Sequence, residues 1–322
     1  MHFTPLKFQV PLAAGGIALM AFNYLQFAIP HGKSMIKMSD VTSAGLTPDQ
    51  LYLYLPMIVI MLAFSIICIG LTICYLKQLL QWLSNKTEYL KFMSGPPTLS
   101  VGIFVPVAAT SMAALVLLAP VQFFIPQLSA NMQAMMLPGI VFFGILWLTI
   151  FRLEFKVLKI WMSSSIDLTK LSFVWLLDVF SFGLVSLIGT GIATMSENVQ
   201  LASIAAIGSL FTLIFGIFLL GAKLSYLFHL HMKADSLPSE NVLPAYFILI
   251  PISCLYGFSF YREALYLQTH LLLDMEVLLF FILVFSYIAS VVWAFFCIYL
   301  LSDYLLKGFL KSDFAPPQWA MV

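Results

Sequence analysis

Any chemistry in this chain has to start from Asp178, which stands about one helical turn inside a long apolar run. An acidic group inside such a run is a functional candidate: it can exchange a proton or flank the mouth of an ion path. It can equally be a solvated residue at a lipid–water interface, and the sequence leaves both readings open. The other ionisable residues near apolar runs fall at run ends, namely Arg152 with Glu154 and Arg262 with Glu263. The histidines His2, His31, His229, His231 and His270 also lie in linkers or at ends. A haem bundle needs facing histidines within its helices, and a metal centre needs clustered ligands. His229 and His231 are two apart, so on a helix their rings diverge. Cys68, Cys74, Cys254 and Cys297 lie in apolar runs without paired metal spacing and read as small buried packing residues. No nucleophile–base pattern stands out. The expectation is a non-enzyme with no cofactor and no metal.

The elements that position these residues follow from composition. Of 322 residues, 62% are hydrophobic and 9% charged, with a mean hydropathy of +1.02; a soluble domain carries about 25% charged residues. So apolar a chain cannot cover itself with polar surface, so its partner is a lipid bilayer. The net charge of +1 gives no sign of a nucleic-acid partner. Unpaired backbone groups in hydrocarbon cost several kcal/mol each, which leaves helices of about 20 residues as the spanning element. The sequence predicts an all-α integral membrane protein, one transmembrane domain over 1–322. Its eight spans fall near 11–29, 55–76, 99–119, 137–156, 173–195, 202–223, 244–261 and 276–302. Counting Lys7, the linkers after even-numbered spans and the N-terminal stretch carry 12 of the 15 Lys and Arg residues, among them Lys170 and Lys223. Lys33, Lys37 and Arg262 fall on the other side. Positive residues stay on the cytoplasmic face, so the N-terminus is expected in the cytoplasm.

The spans alternate in kind. The 19-residue windows 11–29, 101–119 and 176–194, in outward spans, hold 7, 8 and 8 Gly, Ala, Ser and Thr residues; the inward windows 57–75, 138–156 and 278–296 hold 4, 3 and 4. Spans six and seven break the trend. Pro106 and Pro251 stand inside outward spans, where a proline is expected to free a carbonyl and kink the helix. Ordinary close packing would account for the small residues. The sharper expectation is that outward helices line a central path inside a sleeve of inward ones.

Four local patterns, in order, carry a resemblance. They are PLAAGGI from Pro11, PPTLSVGIFVPVAATSM around Pro106, PAYFILIPISCLYGF around Pro251, and FAPPQWA at Pro316 and Pro317. Together they are similar to the tellurite-resistance/dicarboxylate transporter family of bacterial TehA-type channels and plant slow anion channels. The resemblance implies helical hairpins around a central pore, ten spans in quasi-fivefold order, with odd helices inside. It also implies a homotrimer in the plasma membrane, here of bacterial type. By that pattern the apolar run of Trp319, Ala320, Met321 and Val322 opens a ninth span. The chain then reads as C-terminally truncated, with the family's occluding phenylalanine beyond Val322. Asp178 stands near a position where the family often has proline.

The expected function is passage of small inorganic or organic anions, selected by size, dehydration, helix dipoles and hydroxyls rather than fixed charge. Candidate lining residues are Gly16, Phe104, Pro106, Thr110, Phe182, Ser186, Pro251 and Ser253, with Asp178 at the mouth or in a proton link. The alternatives are a proton-coupled carrier of C4-dicarboxylate, sulfite or a tellurite-related oxyanion, and a membrane scaffold subunit that transports nothing.

Overall fold

The computed structural model describes residues 3–32, 35–163, 171–309, 311 and 315–321. His2, Lys33, Lys170 and Val322, used above, lie outside the described residues. What is described is helical, with no strand, and eight helices are long and apolar enough to cross a membrane. They are α1 (Pro5–Ala28), α2 (Pro48–Ser84), α3 (Pro97–Phe124), α4 (Met132–Ser163), α5 (Phe173–Met195), α6 (Val199–Lys233), α7 (Glu240–Leu271) and α8 (Glu276–Leu300). This is an all-α, multi-pass membrane protein.

The helices fall into two classes. In their most apolar 18-residue stretches, α1, α3, α5 and α7 are 61, 67, 89 and 56% buried. The corresponding values for α2, α4, α6 and α8 are 28, 22, 39 and 6%. Odd helices are therefore inner and even helices outer. Around the inside, α1 packs on α3, α3 on α5 and α5 on α7, while a 3-10 turn over Pro316–Met321 lies against both α1 and the start of α7. The outer α2, α6 and α8 pair with α1, α5 and α7.

Each inner helix enters its long α-helical part the same way, α3 after a first α-helical turn at Pro97–Ser100. A 3-10 turn (Pro5–Phe8, Val101–Phe104, Phe173–Leu176 and Glu240–Ile248) leads into the α-helical part at Gln9, Val105, Leu177 and Leu249. Within three residues of those starts stand Pro11, Pro106, Asp178 and Pro251. Freed carbonyls were expected behind the interior prolines, and the structure corrects this. An unbroken helix would aim Gly102 O at residue 106 and Phe247 O at residue 251; instead they accept the N–H groups of Val105 and Leu249. Proline is placed where the turn has already tightened, so it removes no bond. Farther along α3, Pro120 is taken up in a π turn over Leu117–Val121.

Span six broke the small-residue rule, and its packing supplies the reason. The buried face of α6 carries Ala202, Ala205, Ala206, Ser209, Thr212 and Gly216, set against the almost fully buried α5. Its small residues mark close approach to a neighbour rather than an inner position. Gly189 on α5 meets Phe143 of α4 and Ser209 of α6, and a Cβ there would sit 2.7 Å from the ring and 2.9 Å from Ser209 Cβ. Nothing lies within 4 Å of a Cβ built on Gly16. Gly189→Ala should therefore lower stability by about 1–3 kcal/mol through overpacking. Gly16→Ala should leave it unchanged or slightly raised, since alanine is the better helix former. Thermal unfolding of both purified variants in one detergent checks this.

Candidate functional site

Two cavities are lined by the inner helices, the larger also by the outer α2 and α4. The larger, about 810 Å³, is at the end away from the N-terminus, and the smaller, about 240 Å³, is near the N-terminal end. One stripe of α7 connects them. Pro251 lines the smaller cavity, Cys254 and Leu255 line both, and Phe258 and Arg262 line the larger. The spacing 251, 254/255, 258, 262 follows the helical period, so a single face of α7 runs past both. Gln9, Trp319 and Ala320 complete the smaller cavity from α1 and the tail turn.

Among the described residues, Arg262 is the only Asp, Glu, Lys, Arg or His side chain in either wall. Its guanidinium lies over the Phe258 ring at 4.5 Å and against Gly191, where a Cβ would come within 3.0 Å of a guanidinium nitrogen. Glycine at 191 leaves room for it. Glu263, the next residue, is turned away and accepts a hydrogen bond from Ser209 of α6. No carboxylate among the described residues pairs with Arg262.

The candidate lining residues divide. Gly16 and Pro251 line the smaller cavity and Thr110 the larger. Phe104, Pro106, Phe182, Ser186 and Ser253 face neither wall. Phe104, Pro106, Phe182 and Ser186 are buried, Phe182 between Phe151 of α4 and Phe215 of α6. The hydroxyls are also committed: Thr110 donates to Pro106 O at 2.7 Å, Ser253 to Leu249 O at 2.9 Å and Ser186 to Ser209 O at 3.5 Å. A hydroxyl that spends its proton on a carbonyl has only lone pairs left to offer. The charged donor among the described residues of the larger wall is Arg262.

Asp178 is fully buried and lies in neither wall. It pairs with Lys223 of α6. The Lys223 ammonium also donates to Trp175 O at 2.9 Å and lies 4.9 and 4.7 Å from the rings of Trp161 and Trp175. Glu154 of α4, also fully buried, is next to this pair, and neither of its oxygens has a hydrogen-bond partner. Two carboxylates are both acceptors and cannot bond each other. Two carboxyls thus face one ammonium in this buried group. Tyr256 of α7 closes the group, donating to Val179 O at 2.9 Å.

These contacts correct three expectations. Lys223 is not in a linker, and Glu154 and Glu263 are not exposed ends. The 32 residues of α4 and 35 of α6 reach about 48 and 52 Å at 1.5 Å per residue, against about 30 Å of hydrocarbon. Residues past the apolar run are thus still inside packed helix. No spacing announces the pairing, since Lys223 is 45 residues from Asp178; an acidic residue at a position where the other inner helices carry proline was the available signal. Of the four cysteines, Cys68 and Cys297 are buried, whereas Cys74 and Cys254 are exposed, Cys254 to the cavities. Outside the spans, Lys307 donates to Asp303 at 2.6 Å and holds that carboxyl below its usual range; the pair is solvent-exposed and carries little weight for stability. No group of three metal-ligating side chains occurs among the described residues.

Removing one partner of a buried pair strands the other charge, at a cost of about 3–5 kcal/mol. Lys223→Met should destabilise by that amount, and adding Asp178→Asn should recover most of it, read from thermal unfolding of the single and double variants. No protein-family model matches the chain, and no curated protein or solved structure matches it either.

Proposed function

We propose that this protein moves small anions across a membrane along its inner helices, as its resemblance to the tellurite-resistance/dicarboxylate transporter family implies. One observation carries the reading. Two cavities adjoin along a single face of α7, and among the described residues the only charged side chain in either wall is the cationic Arg262. A lone cation in a low-dielectric wall attracts anions and repels cations. Asp178, which would oppose anions, is set apart and balanced by Lys223. Within this proposal the N-terminus is cytoplasmic, the protein sits in a bacterial inner membrane, and the chain assembles as a homotrimer. The Lys and Arg bias supports the orientation even without Lys223. With the protein reconstituted in liposomes under a potassium chloride gradient, the reversal potential should lie toward that of chloride, and Arg262→Glu should move it toward potassium. Cation selectivity in the unmodified protein overturns the reading, and absence of any flux favours the scaffold alternative.

The buried group of Asp178, Lys223 and Glu154 favours a second reading, proton-coupled carriage. Two carboxyls face one ammonium there, and the group joins α4, α5, α6 and, through Tyr256, α7. A carrier of this type should saturate with substrate and respond to an imposed pH gradient. The Glu154→Gln/Asp178→Asn/Lys223→Met triple variant, which leaves the site without a carboxyl or an amine, should retain uptake and lose the response to the gradient. Undiminished dependence on the gradient removes this site from the coupling.

A further inference from the structure

We propose that the larger cavity binds an organic monoanion, its carboxylate on Arg262 and its apolar body against the surrounding walls. This rests on the anion reading above and narrows it to a substrate class. Volume is the first ground. A single hydrated chloride needs little space, whereas about 810 Å³ is in the range of pockets that enclose small organic ligands, about 300–1,000 Å³. The second ground is the chemistry of the wall. Leu115, Met136, Phe142, Ile188, Leu255 and Phe258, drawn from α3, α4, α5 and α7, present hydrocarbon and aromatic surface. A bare inorganic ion would gain nothing from these groups, whereas an aliphatic or aromatic body buries against them.

Charge count gives the third ground. Arg262 is the sole cation among the described residues of the wall, and its neighbours leave it free: Glu263 faces Ser209, and Gly191 and Phe258 hold the guanidinium without neutralising it. A planar guanidinium matches one carboxylate in a two-point contact. A dicarboxylate would leave its second charge against hydrocarbon with no counter-ion, which is strongly unfavourable. The polar side chains that remain, Asn23, Gln26, Thr72 and Thr110, add no charge, and Gln26 and Thr110 already bond within the protein. One cation over a large apolar floor selects one negative charge on an apolar body.

The test uses the full 322-residue chain in lipid nanodiscs, with four probes: benzoate, its neutral analogue benzyl alcohol, succinate and chloride. Calorimetry or radioligand binding should give saturable benzoate binding at least roughly tenfold tighter than benzyl alcohol or succinate, the scale of one charge-assisted contact. Arg262→Gln should weaken benzoate by about the same factor and leave benzyl alcohol unchanged, and Arg262→Lys should fall between them. The unchanged benzyl alcohol arm shows that the variant cavity is still formed. Succinate binding as tight as benzoate, or benzoate binding that ignores Arg262→Gln, overturns the inference. Chloride flux in liposomes separates the two levels. Flux without benzoate binding leaves the anion path standing and removes this substrate class; benzoate binding without flux of either anion keeps the site and removes the path.

Discussion

A helix enclosed by other helices on every side can hold neither excess bulk nor an uncompensated charge, and α5 is in that position. It contacts α3, α4, α6 and α7 and is the most buried span in the protein. Enclosure explains its composition. Gly183 lies against Tyr256 and Leu255 and Gly191 against Arg262, both tightly, and Gly189 lies against Phe143 and Ser209 at a distance that a side chain would violate. Enclosure also explains why its one ionisable residue is paired. With no water to solvate Asp178, a cation had to come from a neighbouring helix, and Lys223 supplies it.

The charges divide between two ends, and the division shapes what the interior can do. Toward the N-terminal end, Glu154, Asp178 and Lys223 are sealed among Trp161, Trp175 and Tyr256, out of reach of either cavity. Toward the other end, Glu263 is withdrawn to Ser209 and Arg262 is left in the cavity wall. Negative groups are thus removed from the walls and one positive group remains. The electrostatic character of the interior comes from which charges are compensated, not from the chain's net charge of +1.

The inner helices share a construction that the outer ones lack. Each passes through a tightened turn into its long α-helical part, and proline occupies the transition in three of the four. Tightening at the start gives the carbonyls that a following proline cannot serve a nearby N–H partner, as Gly102 and Phe247 show. Asp178 holds the corresponding place in α5, and a residue with a side chain able to reach another helix replaces one that can only stiffen its own.

The sequence by itself determined the solvent, the helical class and the number and approximate placement of the spans. Lipid imposes these through composition and run length alone, and those are local quantities. Alternation of inner and outer helices was also partly legible, because close packing selects small residues, though span six shows that the same signal marks any tight contact. Only the tertiary structure decided which polar residues matter. Lys223 and Glu154 looked like ends because hydropathy falls there, yet their helices continue and bury them. Arg262 and Glu263 are adjacent in sequence but face opposite fates, one toward a cavity and one toward Ser209. Thr110, Ser186 and Ser253 had suitable chemistry until their protons were found on backbone carbonyls. The reason is physical: hydrophobicity acts on each residue separately and can be read along the chain, whereas charge compensation and hydrogen bonding depend on partners that only the packed helices bring together.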